Sequence, residues 1–219
     1  MRAWPVSILL ARIMRGVLPP ARVKALVVLA AIGTVGLAQA GNQKEEALAD
    51  GVRLALARSI TDARPPVQRF TDIQERIKYL YWLGEMSERL KKKLPDVQVR
   101  TEFLKTVWYE SRRAGLDPGM VLGLIQVESA FRKYALSPVG ARGLMQVMPF
   151  WTRVIGDGEP KKLFNMQSNL RYGCAILRLY IDLEGGDLFL ALGRYNGSRG
   201  RNDYPNAVLH AWKNWEYRA

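Results

Sequence analysis

Between residues 67 and 94 the apolar positions Phe70, Ile73, Ile77, Leu80, Leu83, Leu90 and Leu94 recur at spacings of three, four or seven, which puts them on one face of a helix. Pro95 stops that helix, and a second helical run over 97–114 closes at Gly115. Upstream, 43–62 consists mostly of helix formers and ends against Arg64-Pro65-Pro66, so it reads as a loosely attached helix or a linker. Asp117-Pro118 is a helix start, because the aspartate can cap free N–H groups and the proline needs no donor in the first turn. The helix it opens is expected to run to about Phe131.

Pro138, Gly140 and Gly143 punctuate the stretch from Ser137 to Pro149, which is expected to form a structured loop or small hairpin. Helical patterning resumes over 150–155, 167–184, 187–195 and 204–215. In the 167–184 run, Leu170, Gly173, Cys174, Leu177, Tyr180 and Ile181 share a face, which puts Cys174 in the core. Gly185-Gly186 ends that helix and Asp187 caps the next. Nowhere does a period of two persist, so the expectation is a mainly α protein in which a helical region (41–99) precedes a second domain (100–219).

Composition narrows this picture. At 219 residues, 48% apolar and 24% charged, the chain has room for one packed domain of ordinary size and something smaller. Residues 1–40 carry Arg2, Arg12, Arg15, Arg22 and Lys24 and no acid, then the apolar run from Ala25 to Leu37 and a small-x-small ending at Ala38-Gln39-Ala40. That order of features is the layout of a secretory signal peptide, and the apolar run is too short to span a bilayer. An uncleaved membrane anchor stays open, given a second apolar patch from Val6 to Leu10, and Met14 is an alternative start.

Without the leader, 28 basic residues face 20 acidic ones, so a net charge of +8 survives from the full chain's +13. Such a surface attracts polyanions, whether nucleic acid, anionic headgroups or anionic glycan; export to the periplasm or beyond makes nucleic acid an unexpected partner. The cluster Arg89-Leu90-Lys91-Lys92-Lys93 reads as the solvated end of a helix, where cations suit the macrodipole. One cysteine excludes an intrachain disulfide and a Cys-rich zinc site, and a lone His210 excludes a histidine-built metal site. The chemistry must therefore come from carboxylates, hydroxyls and amides, with no cofactor or metal expected.

One carboxylate stands out. Counting back from Glu128 by three, four and seven gives Ile125, Leu124 and Val121, so the acid lies on an apolar stripe near its helix's C-terminus. Burial disfavours ionisation, and the negative end of the helix dipole acts the same way, so both keep the proton on. A protonated carboxyl near neutral pH is what cleavage of a glycosidic bond requires. Periodicity alone leaves two other readings open: pairing with a buried arginine, or a frayed helix that turns the acid to water.

Glu128-Ser129-Ala130-Phe131, Ser137-Pro138-Val139-Gly140-Ala141, Gly143-Leu144-Met145-Gln146-Val147-Met148-Pro149 and Tyr195-Asn196, in this order and spacing, resemble the signature of soluble lytic transglycosylase catalytic domains over about residues 100–215. That resemblance implies a lysozyme-like helical fold that cleaves the bond between N-acetylmuramic acid and N-acetylglucosamine in peptidoglycan strands, with 1,6-anhydromuramoyl ends as product. It implies Glu128 as the single acid and base and Ser137 as a contact to the sugar's acetamido group. Gln146 and Met148 would line the cleft, and Tyr195 with Asn196 would orient the glutamate or the substrate.

Each role has a plainer reading. Ser137 starts a turn, Met148 fills the core, Tyr195 is a buried ring whose hydroxyl needs a partner. The family commonly continues from its Tyr-Asn with Ala-Gly, whereas here Arg194-Tyr195-Asn196 is followed by Gly197-Ser198-Arg199-Gly200-Arg201. The three arginines are expected either to meet substrate carboxylates or to be solvated. A lysozyme-like muramidase and an inactive peptidoglycan-binding or scaffolding module are the competing functions. Residues 41–99 would dock on another envelope protein, buttress the second domain or act as a spacer.

Overall fold

The computed structural model describes residues 43–61 and 67–217, and the expected leader (1–40) lies outside them. Among the described residues the architecture is helical: α1 (Asp50–Thr61), α2 (Ile73–Leu90), α3 (Val97–Arg113), α4 (Pro118–Ser129), α5 (Phe150–Ile155), a 3-10 turn (Pro160–Phe164), α6 (Met166–Leu183), α7 (Leu188–Asn196) and α8 (Asp203–Lys213). No helix among them is long and apolar enough to cross a membrane. Side-chain caps set many of the starts: Asp72, Asp96, Asp117, Asn165 and Asp187 each accept from a backbone N–H in the first turn that follows. These capped starts explain why α2 begins at Ile73 rather than near 67. Residues 43–49 form no helix, although their composition favours one.

α4 is the central helix, buried along nearly its whole length. It admits α8 at close range because Gly119 and Gly123 face the α8 end: a Cβ on Gly123 would lie 2.7 Å from the Trp212 backbone nitrogen. The Trp212 indole also donates to Asp117 at 3.0 Å, and the Trp215 indole to Gln126 at 2.8 Å, which fixes the register of the two helices. α4 ends when Ala130 (φ 49°) and Phe131 (φ 66°) turn left-handed. That backbone is costly for residues with a Cβ. Burying the Phe131 ring edge-on to Phe103 and Trp215 offsets the cost.

α2 corrects the sequence expectation. Tyr79, Trp82, Met86 and Leu90 face the core, whereas Ile73, Ile77 and Leu80 of the aliphatic stripe remain exposed. The aromatic rings decide the orientation: Tyr79 and Trp82 pack on Trp108 of α3 at centroid distances of 5.1 and 4.8 Å, a larger apolar burial than the aliphatic face offers. The basic cluster at the end of α2 is not wholly solvated either, since Arg89 donates to the carbonyls of Asn214 and Glu216. α1 contributes no fully buried residue and leans on the body through Leu56 and Ile60. Cys174 is buried inside α6, as the periodicity expects.

Candidate active site

Glu128 sits at the penultimate position of α4, 4% exposed. Oε1 accepts a 2.6 Å hydrogen bond from the Tyr204 hydroxyl of α8, and Oε2 is buried with no partner among the described residues. Burial pushes the carboxyl up to about 8, opposed only by the Tyr204 bond, which favours the ionised form. Neither alternative reading of this acid holds, because it neither turns to water nor pairs with a buried arginine. At neutral pH it is a neutral acid with one oxygen free to donate.

The arginine pairing occurs instead at Glu110, a second buried acid on α3. Arg171 donates to Glu110 Oε1 from Nε at 3.1 Å and from Nη2 at 2.9 Å, and Arg113 approaches Oε2 at 3.4 Å. Glu110 follows Val107 by three and Phe103 by seven, two of the three apolar spacings that mark Glu128, with the polar Thr106 at the third. No sequence motif marks Tyr204. Its only signal is a tyrosine sharing the apolar face of α8 with Val208 and Ala211, where a buried phenol needs a partner.

The loop after α4 is built from short turns, with isolated bridges from Leu136 to Arg142 and from Arg142 to Val147. Gln146 lies at its heart, buried at φ 47°, and its amide donates to the carbonyls of Gly143 (2.8 Å) and Ala135 (3.2 Å). Gly143 has to be glycine: at φ 77° its Cβ would fall 2.4 Å from Asn169 Nδ2. Asn169 accepts from the Met145 N–H and donates to the carbonyls of Arg142 and Leu163, each at 2.8 Å. The Tyr195 hydroxyl donates to the Met145 carbonyl at 2.8 Å. Met145 is thus pinned from both sides.

Of the expected site residues, Tyr195 lies near Glu128, and Gln146 and Tyr195 meet through the 143–146 turn. Tyr195, fully buried, braces the loop, and Tyr204 takes the hydrogen bond to Glu128. Burial first and the nearby Glu128 charge second raise the Tyr195 phenol well above its usual range. Asn196 closes α7 in a buried position beside it. Met148 is half-buried against the core, and the Ser137 hydroxyl accepts from the Ala141 N–H at 3.0 Å within its turn. The arginines of the divergent loop are ion-paired within the chain: Arg194 and Arg199 both hold Glu184, at 2.7 and 2.8 Å, and Arg201 lies 3.6 Å from Asp203. The Arg199 and Arg194 bonds pull the Glu184 carboxyl down to about 2.

A third set of contacts involves residues ahead of α1. Gln43 is buried, and its Oε1 accepts from the Met148 N–H at 3.2 Å and from the Trp151 indole at 3.1 Å, while Nε2 faces the Gln146 carbonyl at 3.5 Å. Glu46 binds Arg194 at 2.6 Å and Glu45 lies 3.7 Å from Arg153.

Residues 106–213, about half of the chain, match the family described as the transglycosylase SLT domain. The chain is 33% identical over 120 residues to the membrane-bound lytic murein transglycosylase C of Actinobacillus pleuropneumoniae, covering 48% of this chain and 33% of that one. It is 35% identical over 134 residues to the protein of that name from Histophilus somni, covering 54% and 35%. An inactive mutant of the lytic transglycosylase Slt from Pseudomonas aeruginosa aligns with a TM-score of 0.41 and 23% identity over 64% of this chain and 26% of that one. The match spans about a third of the length of those two sequence relatives.

Proposed function

Residues 106–213 make this chain a member of the transglycosylase SLT domain family, and on that premise we propose that it is a peptidoglycan lytic transglycosylase with Glu128 as its single acid and base. The observation that carries the reading is the state of Glu128: buried, shifted to about 8, and with neither an arginine nor any partner on Oε2 among the described residues. A carboxyl in that state serves as general acid at neutral pH.

In the proposed reaction Glu128 gives its proton to the glycosidic oxygen as the bond to C1 of N-acetylmuramic acid breaks, and N-acetylglucosamine leaves with a free hydroxyl. The muramoyl acetamido carbonyl supports the positive charge at C1, a task that a second carboxylate performs in most glycosidases. The muramoyl 6-hydroxyl then bonds to C1 and returns its proton to Glu128. A 1,6-anhydro end forms, no water is consumed, and the acid is regenerated without a cofactor. Tyr204 positions Glu128 and stabilises its ionised form between the two transfers. The loop carrying Ser137, Gln146 and Met148, together with Tyr195 and Asn196, is assigned to the glycan cleft.

This substrate requires work in the periplasm or outside the cell, the destination that a leader over 1–40 would serve. An envelope partner would meet residues 41–99 on the outer face of α2, where Ile73, Leu80 and Tyr81 are exposed. Purified sacculi digested with wild type and with Glu128→Gln, followed by mass spectrometry of the soluble muropeptides, test the proposal. Anhydro ends from wild type and none from the variant are expected. Reducing ends would mean that water replaces the 6-hydroxyl, as in a muramidase, and binding without release by wild type would leave only a binding module.

A further inference from the structure

The segment ahead of α1 makes contacts out of proportion to its size. Lys44, Glu45, Glu46 and Ala47 are exposed and irregular, while Gln43 alone is buried, and it is a polar residue. Its carboxamide satisfies three groups more than a hundred positions away: the Met148 N–H, the Trp151 indole N–H and the Gln146 carbonyl. It also comes within hydrogen-bonding reach of the Tyr195 phenol. Of these, Gln146, Met148 and Tyr195 are assigned above to the glycan cleft.

The chemistry of the occupant matters. A carboxamide offers an acceptor carbonyl and a donor N–H, the same pair that an N-acetyl group of a sugar offers. Three residues on, the Glu46 carboxylate holds Arg194. A substrate lactyl or stem-peptide carboxylate would seek the same guanidinium. The segment thus presents an amide and a carboxylate to groups that suit an N-acetylated, acidic glycan.

Its attachment is also easily undone. Apart from Gln43 it is held by ion pairs that solvent and salt reach, Glu45 with Arg153 and Glu46 with Arg194. A cavity of about 290 Å³ remains between Lys44, Glu46, Arg194, Gly197 and Arg199, so the segment bridges this wall rather than filling it. Lifting it away would leave buried donors and an acceptor unpaired, a state that a ligand amide relieves.

We propose that residues 43–46 form a removable strap, with Gln43 and Glu46 standing in for the acetamido and carboxylate groups of the glycan, so that seating of the strap and binding of the substrate compete. The proposal rests on the glycan reading of the cleft. The test is calorimetric titration of the neutral sugar N-acetylchitotetraose into the full chain carrying Glu128→Gln, which stops turnover. The same titration is run with Gln43→Ala added, and with Glu46→Gln added.

Binding is expected to tighten about tenfold with Gln43→Ala, the effect of removing a competitor that is mostly seated. In the chain with the native strap, affinity for this uncharged sugar should rise with salt as the latch is screened, and Glu46→Gln, which removes the shorter of the two ion pairs, should reduce that rise. Glu46→Gln lies on the exposed side and keeps the test open if Gln43→Ala does not fold. Equal or weaker binding by the Gln43→Ala chain, together with a flat salt response in the native strap, overturns the strap and leaves the glycan reading standing. Failure of all three chains to bind the sugar overturns the glycan reading and the competition with it.

Discussion

The Tyr204 hydroxyl donates to Glu128 Oε1 at 2.6 Å across the α4–α8 interface, and it is the only hydrogen-bond partner described for that carboxyl. Because the bond strengthens the carboxylate rather than the acid, it sets how far burial can push the pKa.

If Glu128 is the acid of the proposed first step, activity should be level at neutral pH and fall about tenfold per pH unit above about 8, as its carboxyl ionises. Tyr204→Phe removes the interaction that favours the carboxylate, so its descending limb should move to higher pH while kcat falls. Muropeptide release measured from pH 5 to 10 for both chains checks this. A limb that stays in place in Tyr204→Phe would mean that the phenol does not act through the charge of Glu128.

Stability should carry the same signature. The folded carboxyl is raised from 4.5 to about 8, so the folded chain holds a proton that the unfolded chain has released between those values. The contribution is fully present below about 4.5 and lost as pH rises through 8. Glu128→Gln, which cannot ionise, should overtake wild type across that window by on the order of 4 kcal/mol at the upper end. Urea denaturation at pH 4.5 and at pH 8.5 would show the gap opening at the higher pH and not at the lower.

These relationships were unequally legible in the chain. Helix starts are local, so Asp117 and Asp187 announced them through the caps they form. The position of Glu128 on an apolar stripe was equally local. Its partner was not, since Tyr204 lies 76 residues away and carries no pattern beyond a buried ring. Periodicity also cannot tell a buried acid with a cation from one without, which is why Glu110 and Glu128 read alike until Arg171 is seen beside one of them. On α2 a regular aliphatic stripe lost to aromatic rings whose partner, Trp108, is on another helix. The arginines near Tyr195 looked unengaged because Glu184, which holds them, lies across the turn between α6 and α7.

Close packing of α4 on α8 keeps Tyr204 over Glu128, and Gly123 permits it. A Cβ there would stand 2.7 and 2.8 Å from the Trp212 backbone nitrogen and Cα, atoms that cannot rotate away. Gly123→Ala should cost about 1–3 kcal/mol or more and lower activity per folded molecule. Gly84→Ala is the control: on α2 its Cβ meets nothing within 4 Å, and the substitution should stabilise by about 0.5–1 kcal/mol. Thermal unfolding of the two chains should move in opposite directions.

The two buried acids should respond oppositely to the same change. Glu110→Gln takes the carboxylate from the buried ion pair with Arg171, 6% exposed at its side chain, and breaking such a pair costs about 3–5 kcal/mol. Glu128→Gln leaves no charge behind and relieves the burial of an ionisable group, so at pH 8 it should gain stability. In activity the order reverses: Glu110→Gln should keep most of its muropeptide release per folded molecule at a temperature where it remains folded. Glu128→Gln should lose a factor of about 10² to 10⁴ at any temperature. Loss of both stability and activity in Glu128→Gln would mark it as a second structural acid, because relief of an uncompensated buried carboxyl should strengthen the fold at that pH.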